Sequence, residues 1–285
     1  MNAHSELAYV ALFADWPGRG VATASPRVAR ALGADFSPYE GGRRLRAIGH
    51  GQAASLLENQ GLLEGAARLI GARAGEGWEP VLPNAHPPGL RLCPGGAAPP
   101  LLWAYGYSLA FQRPAVGIVG SRNLAPNEAR FAADAGEVCA KIGMPVFSGG
   151  AAGADSFGAI GAARAGGAAA HFLPGGSGSP FGPVSLLTTN PDAPPFDRIE
   201  ALTRNKWIYA SSEATIVVAS RFGEGGSWVG AIAAMRGRLG RIIAYAPSRP
   251  SAGNEALIKL GAEPVSCAAA LRDVLSRSLQ PKLAV

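Results

Sequence analysis

Short apolar runs alternate with helix-length amphipathic segments from residue 114 onward. Six of these runs are predicted as strands: Val116–Val119, Val146–Ser148, His171–Leu173, Thr215–Ala219, Ile242–Ala246 and Glu263–Ser266. Between the first two strands, apolar residues recur at helical spacing, with Pro126 near the helix start and Gly143 at its end. Nearly continuous apolar strands separated by helices predict an α/β fold. We expect an extended Rossmann-like parallel sheet with helices on both faces.

The N-terminal part of the chain has a different pattern. Residues 6–16, 25–34 and 51–74 have the composition and spacing of helices, and no strand-like alternation separates them. We therefore predict a small helical domain over residues 1–75. Residues 76–113 are crowded with proline and glycine, which predicts an extended linker without helix that packs along the next domain. The Rossmann-like domain would then cover residues 114–285.

Composition and charge add a modest constraint. The 285 residues are 48% hydrophobic and 16% charged, which is typical of a globular protein. The formal net charge of +6 is compatible with a nucleic-acid or nucleotide partner. The N-terminus lacks the basic segment of a signal peptide, and no apolar run is long enough to cross a bilayer. We expect a cytoplasmic protein without a membrane partner.

Three glycine-rich segments follow predicted strands. The first loop is Gly120-Ser121-Arg122, the second runs from Ser148 through Gly149 and Gly153 to Asp155, and the third contains Gly226 and Ser227. In parallel sheets, ligands bind beyond the carboxyl ends of the strands. Backbone N–H groups at helix N-termini form anion sites there, because glycine lets the ligand approach closely. Glycines that only reverse the chain direction are the alternative for any one loop taken alone.

A cluster of polar residues lies on the helix predicted from about Arg198 to Ala210. Arg204, Asn205 and Lys206 bring two cations and an amide together, which is typical of a phosphate contact, although a solvated helix face is the more ordinary role of such residues. Trp207 and Trp228 could stack on bases, although core packing is the ordinary role of such residues. Asp155 could bind a sugar or base, or cap the helix that begins there.

Several common sites are excluded or unsupported. The P-loop pattern and the dinucleotide fingerprint are both missing from the sequence, so neither a P-loop enzyme nor NAD binding is predicted. The three cysteines (Cys93, Cys139, Cys267) and the four histidines are scattered, which favours neither disulfides nor a metal site. No histidine lies near Ser148 or Ser227 in sequence, although distant residues could still form a triad. We predict no cofactor, no metal and no catalytic residue.

The order of these motifs resembles the DNA-processing protein A family (DprA, also called Smf). The matching segments span about residues 80–266: "AVGIVGSRN", "VFSGGAAGADSFGAIGAARAGG", "TRNKWIYASSEATIVVAS", "GEGGSWVGAIAAMRGR", "IIAYAP" and "SAGNEALIKLGAEPV". The resemblance implies a homodimeric protein without enzymatic activity that binds single-stranded DNA, protects incoming DNA in natural transformation and loads the recombinase RecA. It also implies a sterile-alpha-motif-like N-terminal domain.

The resemblance assigns the DNA- or phosphate-binding site to the residues of the three loops and the helix: Gly120, Ser121, Arg122, Ser148, Gly149, Gly153, Asp155, Arg204, Asn205, Lys206, Gly226 and Ser227. The sequence departs from the family pattern at several of its positions. The family usually has arginine at the position of Ala152 and of Lys206, histidine near Ala159 and leucine at Trp228. A C-terminal winged-helix domain, found in many members, is not expected here. We therefore predict a divergent member.

A second hypothesis comes from the same broad superfamily. Nucleotide-binding sensors and phosphoribohydrolases have a glycine-rich loop that "GEGGSW" faintly resembles. Hydrolysis would need a carboxylate on the following helix, but that helix carries none, and Glu224 in the loop is the nearest candidate. A sensor that does not hydrolyse its nucleotide remains the alternative.

Overall fold

The computed structural model describes residues 3–14, 26–33, 35–93, 98–175, 183–193 and 198–279. Within these ranges the strands are β1 (Trp78–Val81), β2 (Leu102–Tyr105), β3 (Val116–Val119), β4 (Val146–Ser148), β5 (Ala169–Phe172), β6 (Ser185–Thr188), β7 (Ala214–Val217), β8 (Arg241–Tyr245) and β9 (Glu263–Val265). The helices are α1 (Ala3–Phe13), α2 (Pro26–Leu32), α3 (Pro38–Ala47), α4 (Gly51–Leu57), α5 (Gln60–Gly75), α6 (Pro88–Arg91), α7 (Pro126–Lys141), α8 (Ala154–Arg164), α9 (Arg198–Ala210), α10 (Gly225–Gly237), α11 (Ala252–Lys259) and α12 (Ala268–Leu279).

The strands form one sheet in the order β1-β2-β6-β5-β4-β3-β7-β8-β9. The seven strands from β6 to β9 in this order are parallel, whereas β1 and β2 join the edge antiparallel. The chain proceeds outward from β3 through β4 and β5 to β6, and then returns to β7 on the other side of β3. The strand order therefore reverses between β3 and β7, which is where open α/β sheets bind ligands. The predicted Rossmann-like α/β fold is confirmed.

Alternating side chains of the strands divide the interior into two layers. Val116 and Ile118 of β3 pack with α7, α8 and α12 on one face of the sheet. Val119 of β3 and Phe147 of β4 pack with α9, α10 and α11 on the other face. Helices therefore cover both faces, as the continuous apolar strands predict.

The proline- and glycine-rich stretch over residues 76–113 contains β1 and β2, which the sequence did not predict. β1 includes Pro80, which lacks an N–H, and such a strand is tolerated here because β1 lies at the edge of the sheet. The expectation of no helix in this stretch is wrong at α6, where Pro88 stands in the first turn. Proline fits that position because the N–H it lacks would have no partner inside the helix.

The N-terminal helices differ in detail from the prediction. The segment expected as one helix over 51–74 is two helices. α4 ends with Glu58 as its C-cap residue, and Asn59 caps the start of α5, its side chain accepting from the Leu62 N–H. A further helix, α3, begins at Ser37, which forms a capping box with Glu40. Residues 15, 16, 25 and 34 of the predicted helices lie outside the described ranges. Among the described residues, none of the helices has the length and apolar character needed to cross a membrane.

Candidate functional site

The first and second glycine-rich loops touch each other at the carboxyl edge of the sheet. The Ala154 N–H, at the start of α8, donates to the Ser121 carbonyl over 3.2 Å. Gly153 lies at φ +83°, and a Cβ there would stand 2.4 Å from the Ser121 carbonyl oxygen. A Cβ on Gly120 would lie 2.7 Å from the Ala154 Cβ. Gly153 is therefore required both by its left-handed backbone and by contact with the first loop, and Gly120 is required by its close approach to Ala154.

Asp155 organises the second loop from inside. Its Oδ2 accepts hydrogen bonds from the N–H groups of Gly149 at 2.8 Å and Ala151 at 3.4 Å. Burial raises the pKa of this carboxyl to about 6, although the charge of Arg204 and the two backbone hydrogen bonds act in the opposite direction. The side chain thus holds the loop conformation.

Arg204 of α9 reaches this loop and is itself buried, with 8% of its surface exposed. A Cβ on Gly149 would lie 1.7 Å from its Nη1, so the guanidinium occupies the space that a side chain at Gly149 would need. Burial lowers the pKa of Arg204, Asp155 raises it, and Arg122 lowers it further. Its Nε is buried and has no hydrogen-bond partner. A buried cation with an unused donor is costly to the free protein and suited to an anionic ligand.

Ser148 and His171 form a pair that the sequence separation concealed. They are register partners on β4 and β5, and Ser148 Oγ lies 2.6 Å from His171 Nδ1. Burial lowers the pKa of His171 to about 4, with a smaller effect in the same direction from Arg204. Ser148 is fully buried, so its hydroxyl is closed to a substrate. The pair has the serine–histidine hydrogen bond of a catalytic triad, but its serine is not accessible to a substrate.

The third loop contacts α9 at Asn205 and Tyr209. A Cβ on Gly226 would lie 3.5 Å from Asn205 Nδ2, and the Tyr209 hydroxyl donates to the Ser227 carbonyl over 3.4 Å. α10 begins here with Glu224 as its N-cap residue, but the Glu224 side chain makes no capping hydrogen bond. Its first backbone N–H groups are therefore available to an anion.

Taken together, α9 holds Arg204 and Asn205 between the second and third loops, while the first loop packs on the second. The sequence that forms this arrangement matches a known protein family. Residues 83–276 match the family described as DNA recombination-mediator protein A. The chain belongs to this family. The family is one of recombination mediators and not of enzymes.

Solved structures of the family have the same fold at low sequence identity. DNA processing protein A from Streptococcus pneumoniae superposes with a TM-score of 0.63 at 18% identity, covering 90% of this chain and 98% of that one. The Helicobacter pylori protein, whose structure concerns its single-stranded-DNA-binding mode, superposes with a TM-score of 0.60 at 19% identity, covering 70% and 96%. No curated protein matches the sequence.

Two further predicted cations, Arg122 and Lys206, differ in their position relative to Arg204. Arg122 is exposed, and its charge acts on both Asp155 and Arg204. Lys206 is exposed as well, but it lies two positions after Arg204 on α9, and side chains at this spacing do not face each other on a helix. Its charge acts on Cys93. The structure therefore gathers the loops, Asp155, Arg204 and Asn205, and leaves Lys206 apart from the buried guanidinium.

Sequence reasoning missed one neighbour of the pocket and left two aromatic residues ambiguous. His171 gave no signal because its contact with Ser148 depends on knowing that β4 and β5 are neighbours. Trp207 is buried in the core, whereas Trp228 is only partly buried. Ala152, where the resemblance implies an arginine in other members, is exposed. The described residues contain no group of His, Cys, Asp and Glu that could hold a metal ion.

Proposed function

We propose that this protein binds single-stranded DNA through its phosphates, at the site formed by the three loops and α9. The site comprises the residues predicted from the sequence: Gly120, Ser121, Arg122, Ser148, Gly149, Gly153, Asp155, Arg204, Asn205, Lys206, Gly226 and Ser227. Of these, the buried Ser148 and Asp155 shape the second loop and do not contact the strand. The observation that carries the proposal is the buried Arg204 guanidinium, whose Nε has no partner. A phosphate oxygen would reach the part of Arg204 that is exposed and neutralise the charge.

The surroundings of Arg204 favour a ligand with several phosphates in a row, such as a DNA strand, over a ligand with a single phosphate. α8 and α10 both begin at this edge without a side-chain cap, so two helix N-termini can each face an anion. Arg122 and Lys206 add exposed cations beyond the pocket. These groups would contact the phosphate backbone of the nucleic acid and would give little preference for base sequence. Family membership and the DNA binding of the Helicobacter pylori relative point in the same direction.

The finer parts of the proposal rest on the family resemblance. We propose that the protein acts in the cytoplasm as a homodimer, protects single-stranded DNA during natural transformation and loads RecA onto it. The expected divergence, with Ala152 and Lys206 in place of two arginines, would weaken DNA binding relative to other members. The arginine missing at Ala152 removes a phosphate contact worth roughly 1.5–3 kcal/mol, whereas Lys206 keeps the charge and loses only the fork geometry of arginine.

A fluorescence-anisotropy titration tests the binding. We expect a labelled 30-nucleotide oligo(dT) to bind at 50 mM salt and to lose affinity steeply as salt rises, with little difference between sequences of equal length. Double-stranded DNA of the same length serves as the comparison and should bind more weakly. Absence of oligo(dT) binding at 50 mM salt contradicts the proposal.

A thermal-shift experiment separates the nucleotide-sensor alternative. A sensor would be stabilised against thermal unfolding by a mononucleotide or dinucleotide, and DNA would add nothing to this effect. We expect the reverse: stabilisation by the oligonucleotide and no shift with mononucleotides at the same phosphate concentration.

A further inference from the structure

The third loop carries an exposed aromatic pair that the phosphate site does not use. Phe222 is 65% exposed, and its ring lies edge-on to Trp228 with the centroids 5.1 Å apart and an interplanar angle of 63°. Trp228 is partly buried and packs against the core on the α9, α10 and α11 side of the sheet. The pair is therefore anchored from within by Trp228 and open to solvent at Phe222.

The backbone fixes Phe222 in this position. Gly223 and Gly225 both adopt left-handed conformations, at φ +77° and +84°, which non-glycine residues rarely adopt. Arg221 and Glu224 form a β-bridge across the turn, and their side chains pair at 3.7 Å. The turn is thus closed on itself and projects the Phe222 ring outward.

The neighbourhood of the pair indicates what it faces. Trp228 lies two residues after Gly226, which borders Asn205 at the edge of the Arg204 pocket. The Arg221 side chain is 74% exposed beside Phe222, and its charge is paired with Glu224 at 3.7 Å. A lone exposed phenylalanine is ordinary on a protein surface. An aromatic ring braced by a second ring, next to a cation and to the uncapped start of α10, has the composition of a base-stacking site.

We infer that Phe222, supported by Trp228, is a stacking platform for a base of the bound strand. The inference rests on the proposed function, because the platform serves the same ligand as the phosphate pocket. The strand's phosphates lie along Arg204 and the helix N-termini, and one base turns outward onto the Phe222 ring. The platform adds affinity for any base, since every base has a π-face.

Two ligands of equal phosphate number separate the platform from the phosphate site. One is oligo(dT), and the other is an oligomer of the same length made of abasic deoxyribose phosphates. We expect Phe222→Ala to weaken oligo(dT) binding by about 5-fold to 150-fold, the range for losing one stacked base. Abasic-oligomer binding and the salt dependence should stay unchanged, because no phosphate contact is lost. Phe222→Leu keeps an apolar side chain without a π-face and should behave like Phe222→Ala.

Tyr39→Ala is the matched control, because Tyr39 is an aromatic residue of similar exposure (73%) on α3. It should leave both affinities unchanged, and thermal unfolding should show all three variants folded. An unchanged oligo(dT) affinity in Phe222→Ala, or an equal loss for both oligomers, overturns the platform while the proposed function stands. Failure of the wild-type protein to bind either oligomer overturns the proposed function and the platform with it.

Discussion

The second and third strand-end loops both turn a strand into a helix through glycines, but the glycines are needed for different reasons. In the second loop, Gly149 and Gly153 have neighbours within 2.5 Å of where a Cβ would stand, among them the Arg204 guanidinium. In the third loop, Gly223 and Gly225 have left-handed backbones and open space around them. The second loop is therefore shaped around a buried charge, and the third is shaped to project side chains outward. A glycine-rich pattern alone does not distinguish the two.

The largest expected effect on DNA affinity comes from a glycine-to-alanine substitution in the second loop, compared with the same substitution in the third. Gly149→Ala places a Cβ 1.7 Å from Arg204 Nη1 and should displace the guanidinium, whereas Gly226→Ala meets its nearest atom at 3.5 Å. We expect Gly149→Ala to lower single-stranded-DNA affinity by roughly 10-fold or more, as for the loss of a hydrogen bond to a charged group. Gly226→Ala leaves the guanidinium in place and should lower the affinity by less than Gly149→Ala does. Anisotropy titrations of the two variants measure the difference, and equal effects would mean that the loops do not differ as described.

The raised pKa of Asp155 gives the second loop a pH dependence. The folded protein binds a proton below about pH 6, which the unfolded chain, with a carboxyl pKa of 3.8, does not yet bind. Stability should therefore rise as pH falls through this window. Protonation also removes the negative charge beside Arg204, so DNA affinity should rise several-fold between pH 7.5 and 5.5.

Asp155→Asn is the control for this pH effect. It keeps an acceptor for the Gly149 N–H and should bind DNA with nearly the same affinity at both pH values. His171 does not interfere, because its pKa is lowered to about 4. A wild-type protein whose affinity is independent of pH, or a variant that keeps the pH response, contradicts the assignment.

The smallest effect is expected at Lys206, which lies on the same helix as Arg204 but is exposed. Lys206→Ala should reduce affinity by about 2-fold to 3-fold at low salt and by less at physiological salt, because exposed charges are screened. A competition titration at two salt concentrations checks this. A loss as large as that of Gly149→Ala would place Lys206 in the pocket and not at its margin.

Most of the sheet could be predicted from the sequence because buried parallel strands are short continuous apolar runs. All six predicted strands form, with ends shifted by at most two residues. β6 was missed because "SLLT" lies between glycine- and proline-rich segments without periodicity on either side. β1 and β2 were missed because Pro80 and its neighbours read as linker, and only an edge position makes a proline strand acceptable.

The candidate site was predictable in its parts but not in its arrangement. Glycines at strand ends mark an edge of the sheet from sequence alone. The roles of Arg204 and Lys206 could not be separated, because helix rotation decides which of two nearby cations is buried. The Ser148–His171 contact and the Phe222–Trp228 pair depend on strand order and loop conformation, which no local pattern contains.

The most direct test of the account compares the salt dependence of oligo(dT) binding by the wild-type protein and by Arg204→Ala. Each phosphate contact on a single strand contributes about −0.7 to the slope of log affinity against log salt concentration. We expect the wild type to bind at low salt with a steep slope. The variant should bind at least about 10-fold more weakly, with a slope shallower by roughly 0.7. An Arg204→Ala protein that is folded and binds with unchanged affinity and slope would contradict the central claim that the buried guanidinium holds a DNA phosphate.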